Sequence, residues 1–110
     1  MSSYVSIRAE VLAKLSEHLA EIRERFGVEQ IGIFGSVSRA EDTPESDVDV
    51  LYTFKKECDT YDNYFDLSEY LEELFGRKVD LISPSLLKPR FRQRIFSDTV
   101  MCDCLEGTVL

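Results

Sequence analysis

Three aspartates carry the carboxylates from which a catalytic site could be built: Asp47, Asp49 and Asp80. Asp47 and Asp49 lie two residues apart, at the start of an apolar run that continues through Val50 and Leu51. Residues two apart in a strand share a face and are separated by roughly 6.5 to 7 Å, so both carboxylates point into one volume. Neighbouring negative charges repel each other unless a cation joins them. The pair therefore predicts a metal site.

The chemistry of such a site depends on the third acid. Asp80 lies in the alternating segment 78–82, where Val79 and Leu81 face one way and Asp80 faces the other. If this strand lies beside the first, Asp80 joins the pair. Carboxylates favour Mg²⁺ or Mn²⁺, and Mg²⁺ is commonly shared with substrate phosphates. Three carboxylates around two ions about 3.5 to 4 Å apart stabilise the attacking and leaving oxygens at phosphorus, which indicates nucleotidyl transfer from a triphosphate.

A Gly-Ser pair precedes the acids. Gly35 and Ser36 follow the short apolar segment 31–34, and ten residues separate Ser36 from Asp47. Backbone N–H groups and the Ser36 hydroxyl can converge there on an anionic ligand, where the next helix begins. Such a dipeptide alone is usually a plain turn, and paired aspartates alone are often only the solvent face of a strand. Together, at this spacing and with Asp80 on a later strand, they predict an active site.

The hydrophobic pattern predicts the elements that position these residues. Apolar residues recur at spacings of three and four in three segments, and Gly27 and Gly76 end the first two helices. The predicted elements are a helix over 6–25, strands over 30–34 and 48–54, a helix over 62–75, a strand over 78–82, a helix over 88–96 and a strand over 99–104. The predicted inward residues are Val11, Leu15, Leu19, Ile22 and Phe26; Tyr64, Leu67, Leu71 and Leu74; and Leu87, Phe91 and Ile95. Alternating strands and helices predict an α/β fold with a small mixed sheet covered by helices.

The segments 35–39 and 46–49, reading Gly-Ser-Val-Ser-Arg and Ser-Asp-Val-Asp, resemble the nucleotidyltransferase superfamily that includes DNA polymerase β. More narrowly, the chain is similar to the minimal nucleotidyltransferase (MNT) domains encoded beside HEPN-domain toxins. The resemblance covers nearly the whole chain and implies a polymerase β-like palm. In that family a Gly commonly follows the basic residue after the turn, whereas this chain has Ala40. Since Ala tolerates a positive φ poorly, the substitution bears on the loop conformation.

The resemblance also implies roles for the motif residues. Gly35 and Ser36 would bind the β- and γ-phosphates of ATP. Asp47 and Asp49 would hold Mg²⁺, and Asp80 would join them and help to activate the attacking hydroxyl. Arg39 matches the basic position that contacts the nucleotide, although a surface ion pair with Glu41 or Asp42 is the alternative.

Length and charge limit the remaining possibilities. The chain has 110 residues, 44% of them hydrophobic, and we expect residues 1–110 to form a single domain without an internal linker. A formal net charge of −8 argues against direct nucleic-acid binding, which needs a basic surface, and favours a basic protein partner. We expect no membrane association and a cytoplasmic location, because neither a signal peptide nor a membrane-spanning run is visible.

Other candidate sites are weaker. An EF-hand loop starting at Asp47 would need Gly and Glu where Tyr52 and Cys58 occur. A dehalogenase-like nucleophile would follow its apolar strand, whereas the apolar run here follows the acids. Cys102 and Cys104 could share a strand face as metal ligands, but ordinary packing is the better interpretation for them and for His18.

These features lead to one functional expectation and two alternatives. We expect an Mg²⁺-dependent transfer of AMP from ATP to a hydroxyl of a partner protein, and the resemblance implies that this partner is a HEPN ribonuclease toxin modified on tyrosine. The alternative is a non-catalytic antitoxin that neutralises the toxin by binding it. Transfer to a small molecule such as an aminoglycoside would require an acceptor domain for which we expect no room. Two helix faces are docking candidates, with an ordinary solvated surface as the alternative for each: the acids Asp66, Glu69, Glu72 and Glu73, and the bases Lys88, Arg90, Arg92 and Arg94.

Overall fold

The structure is a computed structural model that describes residues 3–102. Helices and strands alternate along most of the chain, as the hydrophobic pattern predicts. The helices are α1 (Arg8–Phe26), α2 (Gly35–Ser38), α3 (Tyr61–Phe75) and α4 (Pro89–Asp98), and the strands are β1 (Val28–Phe34), β2 (Val48–Phe54), β3 (Val79–Ile82) and β4 (Val100–Met101). Single turns of 3-10 helix cover Lys56–Cys58 and Pro84–Leu86. Predicted and observed boundaries differ by no more than two residues for most elements.

The four strands form one mixed sheet in the order β3-β2-β1-β4. β1 pairs antiparallel with β2 and with β4, whereas β2 and β3 are parallel. The β2–β3 pairing is the one that matters for the acids, because it makes neighbours of the two strands that carry Asp49 and Asp80. The predicted mixed α/β sheet is confirmed.

α1 and α3 cover one face of this sheet and form the core with it. All five predicted inward residues of α1 are buried, and so are Leu67, Leu71 and Phe75 of α3. The strands contribute alternate residues to the same core, including Val48, Val50 and Tyr52 of β2. Both helices end at glycines in the left-handed region, Gly27 with φ +69° and Gly76 with φ +68°, as predicted. The opposite face of the sheet carries Asp49, Leu51 and Thr53, because side chains alternate along β2.

The last helix differs from its prediction. We expected Leu87, Phe91 and Ile95 to point inward, but Phe91 is 42% exposed and no residue of α4 is fully buried. α4 lies beside α2 and β1, and within residues 3–102 no further helix packs over it, so its apolar face is only partly covered by the described residues. The final predicted strand, 99–104, is observed as Val100–Met101, and Cys104 lies outside the described residues. None of the helices within residues 3–102 is long and apolar enough to cross a bilayer.

Candidate active site

The parallel pairing of β2 and β3 brings two of the predicted acids together. Asp49 and Asp80 are direct register partners, so their side chains leave neighbouring strands, about 4.8 Å apart, on the same face. Asp47 comes two residues before Asp49, just ahead of β2, and is half-buried. This face lies opposite α1 and α3, and Asp80 is exposed on it.

The electrostatics of Asp49 show how close the three acids are. Burial, followed by the negative charges of Asp80 and Asp47, raises the pKa of Asp49 from its ordinary 3.8 to about 6. Arg39 acts in the opposite sense but does not offset them. Within residues 3–102, no group donates a hydrogen bond to the Asp49 carboxylate. The fold therefore places the Asp49 carboxylate beside two other acids without giving it a hydrogen-bond donor from the described residues.

The Gly-Ser turn lies directly against this carboxylate. Gly35 has φ +73°, and a Cβ built on it would lie 2.2 Å from Oδ2 of Asp49. Any side chain at position 35 would therefore collide with the acid and also strain the backbone. The requirement for glycine links the predicted phosphate-binding turn physically to the predicted metal-binding residue.

The turn is closed by its own hydrogen bonds. Ser38 is buried, and its hydroxyl donates to the carbonyl of Gly35 at 2.7 Å. Arg8 adds a bond from its Nε to the carbonyl of Ser38 at 2.8 Å, which ties the turn to α1. By contrast, the hydroxyl of Ser36 is bonded to no group in the described part of the chain. It is available to a ligand, as the prediction for Ser36 requires.

Arg39 is engaged in ion pairs in this structure. Its Nε donates to Oε1 of Glu41 at 3.0 Å, and its Nη1 donates to Oδ2 of Asp98 at 2.8 Å. Both pairs are exposed, so exchanging them for a phosphate contact has a small energetic cost. The role of Arg39 in nucleotide binding stays a prediction. The next residue, Ala40, has φ +58°, which is the left-handed conformation that a glycine would adopt with less strain.

Sequence patterns gave no indication of the residue that fixes the loop ahead of Asp47. Arg77 donates from Nη1 to the carbonyls of Thr43 and Ser46, at 2.7 and 3.1 Å, and from Nη2 to the hydroxyl of Tyr4 at 2.8 Å. The Ser46 carbonyl belongs to the peptide that leads into Asp47. A contact between residues 31 positions apart has no local signal, and Arg77 follows the helix-ending Gly76 without any periodic pattern.

The donor set suits a hard cation that is completed by substrate. Among residues 3–102, no three His, Cys, Asp or Glu side chains are gathered tightly enough to enclose a metal ion by themselves. Mg²⁺ does not require such a cage, because one or two carboxylates and the phosphates of a nucleotide suffice. The mutual repulsion that raises the pKa of Asp49 is the repulsion that a cation would relieve. The residues present therefore fit Mg²⁺.

The other candidates lie away from this face. His18, on α1, is half-buried and lies 3.3 Å from the hydroxyl of Tyr70 on α3, so it packs between the two helices. Cys102 is buried in the core, which supports packing for this residue. Its predicted companion Cys104 is outside the described residues.

Comparisons with known proteins agree with the observed fold. A family model described as a nucleotidyltransferase domain matches residues 15–102. The protein adenylyltransferase MntA of Thermococcus cleftensis is 42% identical over 91 residues, covering 83% of this chain and 91% of that protein. A relative from Methanocaldococcus jannaschii, MJ0128, is 37% identical over 93 residues, covering 84% of this chain and 94% of the relative.

Solved structures give the same fold. A minimal nucleotidyltransferase superposes with a TM-score of 0.71 at 32% identity, covering 83% of this chain and 92% of that one. A toxin-antitoxin complex with AMP-PNP superposes with a TM-score of 0.59 at 16% identity, covering 79% of this chain and 71% of that one. At 16% identity, the second likeness shows the fold alone.

Proposed function

Because the chain belongs to the nucleotidyltransferase domain family, we propose that it transfers AMP from ATP to a hydroxyl of a partner toxin and thereby acts as an antitoxin. The observation that carries the proposal is the pairing of Asp49 with Asp80, with Gly35 pressed against the Asp49 carboxylate. It joins the metal-binding and phosphate-binding parts of one reaction centre. The relative from Thermococcus cleftensis, named as a protein adenylyltransferase, supports a protein as the acceptor.

The acids take different parts in the reaction. Asp47, Asp49 and Asp80 would hold Mg²⁺, which when bound neutralises charge on the triphosphate and on the leaving pyrophosphate. The acceptor oxygen forms a bond to the α-phosphorus, and the bond from that phosphorus to the bridging oxygen of the β-phosphate breaks. Asp80 is exposed and can accept the proton that the acceptor hydroxyl loses. AMP remains on the acceptor, and pyrophosphate leaves.

The Gly-Ser turn orients the triphosphate. Its backbone N–H groups and the Ser36 hydroxyl would bind the β- and γ-phosphates, and the contact of Gly35 with Asp49 supports a position beside the acids. Arg39 can add a positive charge there by exchanging its exposed partners Glu41 and Asp98 for phosphate. Holding the α-phosphorus in line with the acceptor oxygen supplies much of the rate enhancement in reactions of this class.

The partner belongs to the same proposal. We infer a HEPN ribonuclease toxin, encoded beside this chain and modified on a tyrosine. The acidic character of the chain, with a net charge of −8, suits a basic protein partner. Modification at the toxin's own active surface would silence it.

The experiment uses ATP labelled on the α-phosphate, incubated with Mg²⁺, this protein and the HEPN protein. Transfer predicts label on the partner and a mass increase equal to one AMP for each modified residue, with the site located by fragmentation. ATP labelled on the γ-phosphate is the matched control and must leave no label. A stable complex that neutralises the toxin without any α-label would overturn transfer and support the non-catalytic antitoxin.

A further inference from the structure

A cavity lies on the helical side of the sheet, away from the face that carries the acids. It has a volume of about 440 Å³ and opens between the beginning of α3 and the chain that follows β3. Its lining includes the polar and aromatic residues Tyr52, Asp59, Thr60, Tyr61, Tyr64, Ser83 and Ser85. We call it the Tyr52 cavity. Its size is in the range of cavities that bind a side chain or a small ligand.

The hydroxyl of Tyr52 indicates that the cavity is built to receive a polar group. Tyr52 is only 6% exposed, yet no residue in the described part of the chain hydrogen-bonds its hydroxyl. The hydroxyl oxygen is not closed off from solvent, so it is open to a ligand in the cavity that Tyr52 lines. Tyr52, Tyr64 and Asp59 line the cavity together, and burial, followed by the negative electrostatic influence of Tyr64 and Asp59, raises the pKa of Tyr52. Tyr64 already donates to the carbonyl of Leu81, at 3.3 Å.

The charge and the rings of the cavity favour a cation. Asp59 is exposed and forms no ion pair within residues 3–102, and none of the lining residues is Lys or Arg. Tyrosine rings attract cations over their faces, and a guanidinium can stack on a ring while donating to a carboxylate and to hydroxyls. An arginine side chain therefore matches the combination of Tyr61, Asp59 and the Tyr52 hydroxyl better than a neutral ligand does.

The rim of the cavity is apolar, and the helix beside it is acidic. Tyr61 and Leu86, which line the cavity, are 83% and 81% exposed, and Phe65, which follows the lining residue Tyr64 on α3, is 62% exposed. α3 contains five acidic residues and no Lys or Arg. Aromatic rims around a charged anchor are typical of protein interfaces. Glu72, which we expected in an acidic docking face, instead accepts a hydrogen bond from the N–H of Val79 at 3.1 Å and supports β3.

The cavity lies within reach of the acids. Leu81, in its wall, directly follows Asp80 on the edge strand β3. Tyr52 is three residues beyond Asp49 on β2, roughly 10 Å along the strand. A protein anchored in the cavity can therefore extend around the β3 edge to the face that carries the acids.

We propose that the Tyr52 cavity binds an arginine side chain on an otherwise apolar segment of the partner protein, so that the partner is held beside the acids. This inference rests on the proposed function for the identity of the partner. On this proposal, contacts outside the reaction centre determine which acceptor is selected. The cavity then affects how tightly the partner binds, whereas the acids determine how fast AMP is transferred.

The test measures the affinity of this protein for the HEPN partner by calorimetry, together with the transfer rate at saturating partner. Asp59→Asn removes the carboxylate of the cavity, and Tyr52→Phe removes only the hydroxyl. Asp66→Asn is the matched control, since it removes the same charge from α3 outside the cavity. We expect about tenfold weaker binding for Asp59→Asn, about threefold for Tyr52→Phe and less than about twofold for Asp66→Asn. The rate at saturating partner should not change.

The outcomes separate the two proposals. Equal weakening by Asp59→Asn and Asp66→Asn would mean that overall acidity attracts the partner, and would overturn the cavity. Unchanged affinity in the cavity variants with normal transfer would overturn it too, leaving the proposed function intact. The expected affinity losses without any AMP transfer would overturn the proposed function and leave the cavity standing. If the wild type forms no complex with the HEPN partner, the proposal that the Tyr52 cavity binds this partner is wrong.

A competition experiment tests the guanidinium itself. Acetylated and amidated arginine is added to the complex, with the citrulline counterpart as a neutral molecule of the same shape. The arginine form should weaken the wild-type complex more than the citrulline form does, and the difference should vanish with Asp59→Asn. Equal effects of the two molecules on the wild type would contradict an arginine site.

Discussion

Two aspartates seven positions apart, Asp42 and Asp49, have opposite environments. Asp42 is 7% exposed and accepts hydrogen bonds from the hydroxyls of Tyr4 and Ser6 and from the N–H of Ile7. Burial alone would raise the pKa of Asp42, but these bonds hold it below the ordinary 3.8. Asp49 is half-buried and receives no hydrogen bond from the described residues, and its pKa is raised to about 6.

The contrast separates a structural carboxylate from a functional one. Asp42 fixes the segment that leads into α1 against the loop that carries the acids, so its negative charge stabilises the fold. The charge of Asp49 is opposed by burial and by two like charges, so it destabilises the metal-free fold. A protein keeps such a group when a ligand completes it.

The largest effect on AMP transfer is expected at Asp47, which is one of the two negative charges beside Asp49. Asp47→Asn should reduce AMP transfer on the order of 100- to 1,000-fold or more, because the amide removes a charge that the cation and triphosphate require. The transfer rate of the purified variant is the measurement. Glu45→Gln neutralises an exposed acid of the same loop and should transfer normally. Full activity in Asp47→Asn would remove this residue from the site.

Asp80 should affect turnover more than nucleotide binding. Asp80→Ala should lower the transfer rate about 100-fold and change ATP affinity less than about threefold, since its main action is on the attacking hydroxyl in the transition state. Rate and affinity are measured separately, by single turnover and by calorimetry. Equal losses in both would show that Asp80 holds the nucleotide complex instead.

Asp42 should show the opposite pattern. Asp42→Asn should lower the free energy of unfolding by about 1 to 3 kcal/mol, because three donors lose a charged acceptor. Transfer per folded molecule should be retained. Urea unfolding is the measurement, and Asp66→Asn, an exposed acid without such contacts, should change stability by less than about 0.5 kcal/mol.

The difference in stability between the wild type and Asp42→Asn should decrease as the pH falls. Since the pKa of Asp42 is lower in the folded state than its ordinary 3.8, the ionised carboxylate stabilises the fold above that value. This contribution is lost as the pH falls through the folded-state pKa. The stability difference between wild type and Asp42→Asn should therefore shrink below about pH 4. A difference that grows on acidification would contradict the assignment.

The smallest effect concerns the loop between the two aspartates. Ala40 has φ +58°, so Ala40→Gly should raise the free energy of unfolding by about 0.5 kcal/mol, the net of relieved strain and added chain entropy. Ala20→Gly, at an exposed position inside α1, is the matched control and should lower it by about 1 kcal/mol. Destabilisation by both changes would show that Ala40 is not strained.

Local sequence signals predicted much of this molecule. Apolar spacing predicted the buried stripe of α1, Gly27 and Gly76 marked the helix ends, and alternation in β3 placed Asp80 opposite Val79 and Leu81. Each of these signals depends on residues close together in the chain. The departure at Ala40 from the family's glycine left the loop conformation open, and the structure shows that φ there is positive.

What the sequence could not provide depends on distant contacts. Spacing in α4 indicated an apolar face but not whether another layer covers it, and Phe91 is exposed as a result. The hydrogen bond from Tyr4 to Asp42 joins residues 38 positions apart, and the bond from Arg77 to Ser46 joins residues 31 positions apart. No local sequence pattern predicts contacts over such separations. The Tyr52 cavity likewise forms only when α3 and β3 pack together.

The most direct test of the contrast is the stability of Asp49→Asn, measured by urea unfolding above the raised pKa of about 6. Without metal, the variant should be more stable than the wild type by about 1 kcal/mol, because one of three repelling charges is gone. Adding Mg²⁺ with a non-hydrolysable ATP analogue should stabilise the wild type and leave the variant nearly unchanged. A variant that is destabilised as strongly as Asp42→Asn would contradict the distinction between the two carboxylates.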